Sequence, residues 1–238
     1  MKTIVIATHN PHKVDEIRAI LGPGIQMLSL NEFPKAPKVV EDAPTFAGNA
    51  TKKAMELARW IYVVFPPTRQ ASPLFVLADD SGLEVDALGG GPGVHSARFA
   101  AVDAARSGNT PDADNNAKLL RLLQDVPFEK RRARFQCVIA LVPVPEPKTT
   151  SASPVCYADE FEAQIFEGTC EGRIGFELRG KKGFGYDPLF VPVGLEQTFA
   201  ELDEDAKNKL SHRAKALERL KEFFTTSRPK QKPSFDSL

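Results

Sequence analysis

The sequence predicts an α/β protein. Three observations carry this: short continuous apolar runs that read as buried strands, stretches with apolar residues at helical spacing between them, and cap-plus-proline pairs where helices begin. Thr3–Ala7 (TIVIA) is the first apolar run, as expected for a strand covered on both faces. Asn10-Pro11 follows. Asparagine caps helices well and proline is favoured at the first helical position, so a helix is predicted over Pro11–Leu21. It places Val14, Ile17, Ile20 and Leu21 on one face and ends at Gly22-Pro23-Gly24. Phe46, Ala50, Ala54, Leu57 and Ala58 predict a second helix over Thr45–Ile61, with Pro66-Pro67 in the loop beyond. Leu74–Ala78 (LFVLA) is a second buried strand, running into Asp79-Asp80-Ser81-Gly82. Thr110-Pro111 precedes a helix to about Asp125 that carries Leu119, Leu120, Leu122 and Leu123, and Ala133–Val142 reads as a strand. Pro143–Pro154 is a Pro/Ser/Thr-rich loop or hairpin tip, Tyr157–Glu167 another strand. The last helix carries Leu210, Ala214, Leu217, Leu220 and Phe224, and from Thr225 the chain is polar and unperiodic.

A chain of 238 residues allows one large domain or two small ones. Segments with chemistry run from end to end, which favours one domain over 1–225 with a cleft, followed by a flexible tail over 226–238. Lys+Arg and Asp+Glu both number 31, so there is no net charge. That argues against a nucleic-acid or anionic-membrane surface but leaves room for one local basic pocket. Apolar content of 42% with 26% charged residues is that of a globular protein. Cys137, Cys156 and Cys170 form no CxxC pair, so free thiols in a reducing compartment are expected. The apolar run near the N-terminus is too short for a signal peptide or a membrane span, and a cytoplasmic protein is expected.

Four segments carry chemistry. Thr8-His9-Asn10-Pro11-His12-Lys13 lies between a buried strand and a helix N-terminus, where free N–H groups and the positive dipole end favour an anion. A plain capped turn with a solvated Lys13 is the alternative; a P-loop is excluded because GxxxxGK[ST] is absent. Asp79-Asp80-Ser81 ends a hydrophobic strand. Alternation sends the two carboxylates to opposite faces, so one of them points into a given cleft, placed to hold magnesium with substrate phosphates, unless both serve a turn. Gly183-Phe184-Gly185-Tyr186-Asp187-Pro188 is a tight loop that offers a ring for base stacking and a carboxylate for a purine N–H, or a simple hairpin turn. Lys207 and Ser211-His212-Arg213 put cations around a helix start, which fits a docked anion or a solvated charge run. Glu41-Asp42 could supply a further carboxylate, and Gly89–Arg98 is a glycine-rich loop ending in an arginine.

Taken together these segments resemble the inosine triphosphate pyrophosphatase family of the RdgB type over roughly residues 2–224. Six motifs match in order: Thr-x-Asn-x-x-Lys at Thr8–Lys13, Thr-Phe-x-x-Asn-Ala at Thr45–Ala50, Ala-Asp-Asp-Ser-Gly-Leu at Ala78–Leu83, Pro-Gly-x-x-Ser-Ala-Arg at Pro92–Arg98, Gly-Phe-Gly-Tyr-Asp-Pro at Gly183–Pro188, and Ser-His-Arg at Ser211–Arg213. The resemblance implies an elongated mixed sheet flanked by helices, two lobes with a central cleft, and a homodimer. It implies hydrolysis of non-standard purine nucleoside triphosphates (dITP, ITP, XTP) to monophosphate and pyrophosphate, with Mg²⁺ as cofactor. Carried over, Asp80 and Glu41 are the catalytic and metal-binding carboxylates. Thr8, Asn10 and Lys13 hold the triphosphate, with His9, Pro11 and His12 in the same turn. Ser81 contacts substrate, Phe184, Gly185 and Tyr186 build the base pocket, Asp187 reads the base, and Lys207, His212 and Arg213 close over the nucleotide. Three positions depart from the family pattern: His9 replaces a frequent glycine, Ala43-Pro44 a glycine-containing turn, and Gly48 a common acidic residue. Segments 61–74 and 143–157 are longer than usual and are expected on the surface. Two other readings remain open, a pyrophosphatase for other modified nucleotides and a nucleotide-binding module without turnover.

Overall fold

The computed structural model of the chain describes residues 2–65, 72–102, 108–146 and 161–226. The elements run β1 (Thr3–Ile6), α1 (Pro11–Leu21), β2 (Gln26–Ser29), α2 (Phe46–Val64), β3 (Leu74–Val85), α3 (Phe99–Val102), α4 (Asp112–Leu122), β4 (Arg132–Val144), β5 (Gln164–Ile174), β6 (Phe190–Pro192), α5 (Glu204–Leu210) and α6 (His212–Thr226). The strands form one six-stranded sheet in the order β2-β1-β3-β4-β5-β6. β1 is parallel to β2 and β3, while β3, β4, β5 and β6 pair antiparallel in succession. This is the mixed α/β architecture expected.

Helix α1 starts and stops where predicted. The Asn10 side chain accepts from the His12 and Lys13 N–H groups, Pro11 opens the helix, and Gly22 at φ 73° ends it. In α2 the Thr45 hydroxyl accepts from the Gly48 N–H, and the helix runs to Val64, three residues beyond the expected end.

Four expectations need correction. β3 does not stop at Ala78. β1 ends at Ile6, opposite Leu77, but β4 continues to pair from Leu74↔Val144 to Val85↔Ala133, so the carboxylates lie in mid-strand where one edge has just opened. α4 ends at Leu122 rather than near Asp125, because the buried Arg131 guanidinium takes the carbonyls of Leu123, Val126 and Gly175. The strand expected over Tyr157–Glu167 is β5, Gln164–Ile174; residues 157–160 lie outside the described residues. Its glycines hide it from a propensity reading. A Cβ on Gly168 would collide with the His212 carbonyl and Ala216 N–H of α6, so the glycine marks a close backbone approach. The final helix is two helices. Ser211 at ψ 154° breaks it, Leu210 belongs to α5 and is exposed, and the Ser211 hydroxyl accepts from Ala214 N–H to cap α6. The short edge strands β2 and β6 had no counterpart in the sequence reading. Pro66-Pro67, most of Pro143–Pro154, Cys156 and the tail from 227 lie outside the described residues; Cys137 and Cys170 are buried free thiols.

Three packed clusters make the layers. On one face, α2 covers Val5, Val76, Ala78, Val138, Ala140 and Val142. On the other, α1 and α6 cover Ile4, Ile6, Leu77, Cys137, Ile139 and Leu141. The far halves of β3, β4 and β5 form a second lobe with α4, built on Leu83, Leu119, Leu123, Phe135, Tyr186, Phe190 and Phe199. The cleft opens between the lobes, at mid-strand of β3. Among the described residues no helix is long and apolar enough to cross a membrane.

Candidate active site

The cleft has a volume of about 660 Å³ and is lined from the β1–α1 turn, the approach to α2, mid-β3, the 183–187 loop, α5 and α6. Of the residues singled out from the sequence, Thr8, His9, Asn10, Lys13, Glu41, Asp80, Ser81, Phe184, Gly185, Tyr186, Asp187, Lys207, His212 and Arg213 all line it. Pro11 and His12 do not. Pro11 sits at the exposed start of α1, and His12 turns its ring onto Phe184, with centroids 5.4 Å apart and planes 13° apart.

Strand alternation separates the two aspartates. Asp79 faces α1 and α6, where its carboxylate holds the Lys13 ammonium, Arg213 Nε at 2.9 Å, the Ser81 hydroxyl at 3.0 Å and the Cys137 thiol at 3.1 Å. Burial alone would raise its pKa, but Arg213 and Lys13 outweigh burial and hold it well below the usual carboxylate range. Burial, and next the Asp79 charge, push the Cys137 thiol well up, which keeps it protonated.

Asp80 faces α2. Lys53 Nζ lies 3.4 Å from Asp80 Oδ1 and 3.3 Å from Glu41 Oε2, so one ammonium bridges the two carboxylates. Arg98 Nη2 donates to the Glu41 carbonyl at 3.1 Å, which ties the segment before α2 to the second lobe. Asp80 Oδ2 is buried without a partner among the described residues. Burial raises the Asp80 pKa against the pull of Lys53 and Lys13, with Glu41 and Asp79 adding to the rise.

A second carboxylate–cation chain crosses the base side. Glu16 on α1 accepts from Arg213 Nη1 and from Lys207 Nζ at 2.8 Å, and Lys207 Nζ also reaches Asp187 Oδ2 at 2.7 Å. Burial would lower Lys207, but the Asp187 and Glu16 carboxylates outweigh it and keep an ammonium there. Burial pushes the Asp187 carboxyl up, yet the 2.7 Å ammonium and the Phe184 N–H at 2.9 Å both favour its ionised form, and the pair is ionic. Each nitrogen of the Arg213 guanidinium has a partner: Nε donates to Asp79, Nη1 to Glu16 and Nη2 to the Ser81 hydroxyl at 3.0 Å. His212 is buried and stacked on Phe135, centroids 4.8 Å apart, with Nδ1 unpartnered. Burial and the nearby Arg213 push it well below its ordinary pKa, so the ring is neutral.

The 183–187 loop closes the site. Gly183 has φ 72°, and a Cβ there would strike the Asp187 carboxylate that holds the Phe184 N–H. Phe184 offers its ring near Lys207 Nζ, 4.9 Å from the centroid. Tyr186 is buried in the second lobe and donates its hydroxyl to the Ser96 carbonyl at 2.9 Å.

Lys53 and Glu16 escaped the sequence reading. Both sit on helical surfaces with no local motif. Only Glu16 had a signal, a carboxylate one turn after Lys13 and so on the same face of α1.

Fold and site together define an α/β protein whose interlobe cleft gathers cations and paired carboxylates around space for a small polyanion. The chain belongs to the Ham1 family, whose model matches residues 4–223. It is 46% identical over 221 residues to the dITP/XTP pyrophosphatase of Desulforamulus reducens, covering 92% of this chain and 94% of that one. It is also 46% identical over 223 residues to the enzyme of the same name from Geobacillus kaustophilus, covering 93% and 94%. Among solved structures it is similar to the Ham1 protein of Staphylococcus aureus, with a TM-score of 0.72, 33% identity, and coverage of 95% of this chain and 100% of that one. The Coxiella burnetii HAM1 protein gives a TM-score of 0.71 at 36% identity, with coverage of 95% and 100%.

Proposed function

We propose that this protein hydrolyses non-standard purine nucleoside triphosphates (dITP, ITP and XTP) to the monophosphate and pyrophosphate, as a cytoplasmic homodimer with no nucleic-acid partner. One observation carries the reading: Lys13, Lys53, Lys207 and Arg213, from four different elements, converge with Asp80 and Glu41 on one cleft beside the Phe184 loop. The names of the relatives support the substrate class.

The donor set fits a divalent ion. Two carboxylates share one ammonium, and Asp80 keeps a buried oxygen with no partner among the described residues. Magnesium takes one or two carboxylates and completes its shell with substrate oxygens and water. Asp80 and Glu41 would hold Mg²⁺, which when bound draws negative charge from the phosphate oxygens.

The chain's own groups do the rest. Thr8, Asn10 and Lys13 of the β1–α1 turn bind and orient the phosphates at the positive end of α1. Asp80, whose pKa burial raises, takes the proton of the attacking water as the bond between the α and β phosphates breaks. Lys53 stabilises the negative charge that develops beside the carboxylates. Phe184 stacks on the base, and His212 and Arg213, by side chain or backbone N–H, supply the donors that distinguish a 6-keto from a 6-amino purine. A donor facing an adenine amino group is left unsatisfied, at about 1–3 kcal/mol each.

The test is a product-resolved assay with ITP, dITP, XTP, ATP and GTP in Mg²⁺. Pyrophosphate with ITP strongly preferred over ATP is expected. Orthophosphate release would overturn the cleavage position, equal turnover of ATP the specificity, and tight ITP binding without turnover the enzyme itself.

A further inference from the structure

We propose that Asp112 and Asn116 on α4 are positioning residues that set the base-stacking ring of Phe184, and through it the preference among purines. The inference rests on the reading of Phe184 as the base platform and extends it to a helix outside the six motifs. Gly185, next to Phe184, sits in the left-handed region at φ 63°. Both its backbone polar groups are taken by α4: the Gly185 N–H donates to Asp112 Oδ2 at 2.6 Å, and the Gly185 carbonyl accepts from Asn116 Nδ2 at 2.9 Å. The two side chains are four residues apart and so stand on one face of the helix. On the other side of the ring, the Phe184 N–H is held by Asp187 Oδ2 at 2.9 Å. The residue that carries the ring is therefore fixed at both ends.

The gripping helix is itself anchored. Leu119 and Leu123 are buried in the second lobe, and Asn115 Oδ1 accepts from the Ala100 N–H at 2.8 Å and the Thr110 hydroxyl at 2.7 Å. Asn116 carries a further mark of purpose. Its Oδ1 is buried with no partner among the described residues, so the amide is kept at a cost to the fold. What it gains is the donor to Gly185. No Cβ clash explains the glycine, since nothing lies within 4 Å of a Cβ built there; the backbone conformation that α4 fixes explains it. Small displacements of a positioned group are felt strongly in rate and affinity. Phe184 offers a ring and no charge, so a shift of it bears on the base, whereas the phosphates are bound by charged groups on α1 and α6.

The experiment uses the full chain and four variants. Asn116→Asp sets a carboxylate against the Gly185 carbonyl, and Asn116→Ala removes the donor and the orphaned oxygen together, which secures the test if the first variant folds poorly. Asp112→Leu removes the acceptor, and Asp112→Asn keeps one. KM and kcat for ITP and ATP are measured, with calorimetric binding of IMP and of inorganic tripolyphosphate. The expected result is a rise of about 10-fold in KM for ITP and in the IMP dissociation constant, a smaller change in kcat, and a fall in the ITP-over-ATP ratio. Tripolyphosphate binding stays within about twofold, and Asp112→Asn recovers most of what Asp112→Leu loses. Equal weakening of IMP and tripolyphosphate, or an unchanged ITP-over-ATP ratio in folded Asn116→Ala, overturns the proposal. If the parent protein releases no pyrophosphate from ITP, the activity reading fails, and the positioning role is judged on IMP against tripolyphosphate alone.

Discussion

Asp79→Asn tests what holds the cleft in shape. The carboxylate takes the Lys13 ammonium, Arg213 Nε, the Ser81 hydroxyl and the Cys137 thiol, all buried or nearly so. The amide keeps the shape, removes the charge and turns one acceptor into a donor that faces other donors. Breaking a buried pair by removing one partner costs about 3–5 kcal/mol. Two features lower that here. Arg213 keeps Glu16, and the Lys13 side chain is 15% exposed, so water reaches its ammonium. A loss of about 3 kcal/mol is expected from urea unfolding at pH 7, a large share of the 5–15 kcal/mol typical of a domain. Tripolyphosphate supplies the missing negative charge next to Lys13, so it should raise the variant's unfolding midpoint more than the parent's. The reasoning is refuted by a loss under about 1 kcal/mol together with additivity, within about 0.5 kcal/mol, of Asp79→Asn and Lys13→Met in a double-mutant cycle.

Three other outcomes follow from the same geometry. Asp80→Asn should lower ITP turnover at least about 10³-fold with little change in the unfolding midpoint, because among the described residues the carboxylate's only ion pair within 4 Å is the long one to Lys53; assays of both quantities check it. Phe184→Ala should raise KM for ITP about 5- to 150-fold, the span of a 1–3 kcal/mol stacking contact, and leave tripolyphosphate inhibition unchanged. His212 titrates below its unfolded value of about 6.5, so the unfolded chain binds its proton first and stability falls as pH drops through 6.5. The loss approaches about 1.4 kcal/mol per pH unit, and His212→Gln should flatten that part of the profile in urea titrations from pH 7 to 5.

The elements legible in the sequence were those whose signals are local. α1 carries its own cap and stop in Asn10-Pro11 and Gly22, and its bounds could be read directly. β3 was cut short because Asp79-Asp80-Ser81-Gly82 has the composition of a turn. Pairing with β4, a contact distant in sequence, overrides that preference. The same cause hid β5, where Gly168 and Gly172 make room for α6 and for Phe190. In the cleft, residues within compact motifs were visible as sets, whereas Lys53, Glu16, Asp112 and Asn116 were not. Each is a polar residue with no local motif on its helix, and its partner comes from an element distant in the chain. Pro11 shows the converse, since it belongs to the turn by sequence but lies outside the cleft lining.

The absence of net charge and a cleft for a highly charged anion are reconciled by pairing. Lys13 and Arg213 hold Asp79, Lys207 and Arg213 hold Glu16, Lys207 holds Asp187, and Lys53 stands between Glu41 and Asp80. These carboxylates keep Lys207 and Arg213 protonated against burial and fix the cations before any ligand arrives. An entering triphosphate therefore exchanges partners with groups already in place, and reorganisation is completed in folding rather than in binding. The arrangement is lopsided on the α2 side. There one ammonium answers two carboxylates, so a bare triphosphate meets uncompensated negative charge, while on the α1–α6 side Lys13, Lys207 and Arg213 balance Asp79, Glu16 and Asp187. The imbalance orients the substrate: phosphates toward Lys13 and Arg213, and toward Glu41 and Asp80 only where a divalent ion makes up the difference.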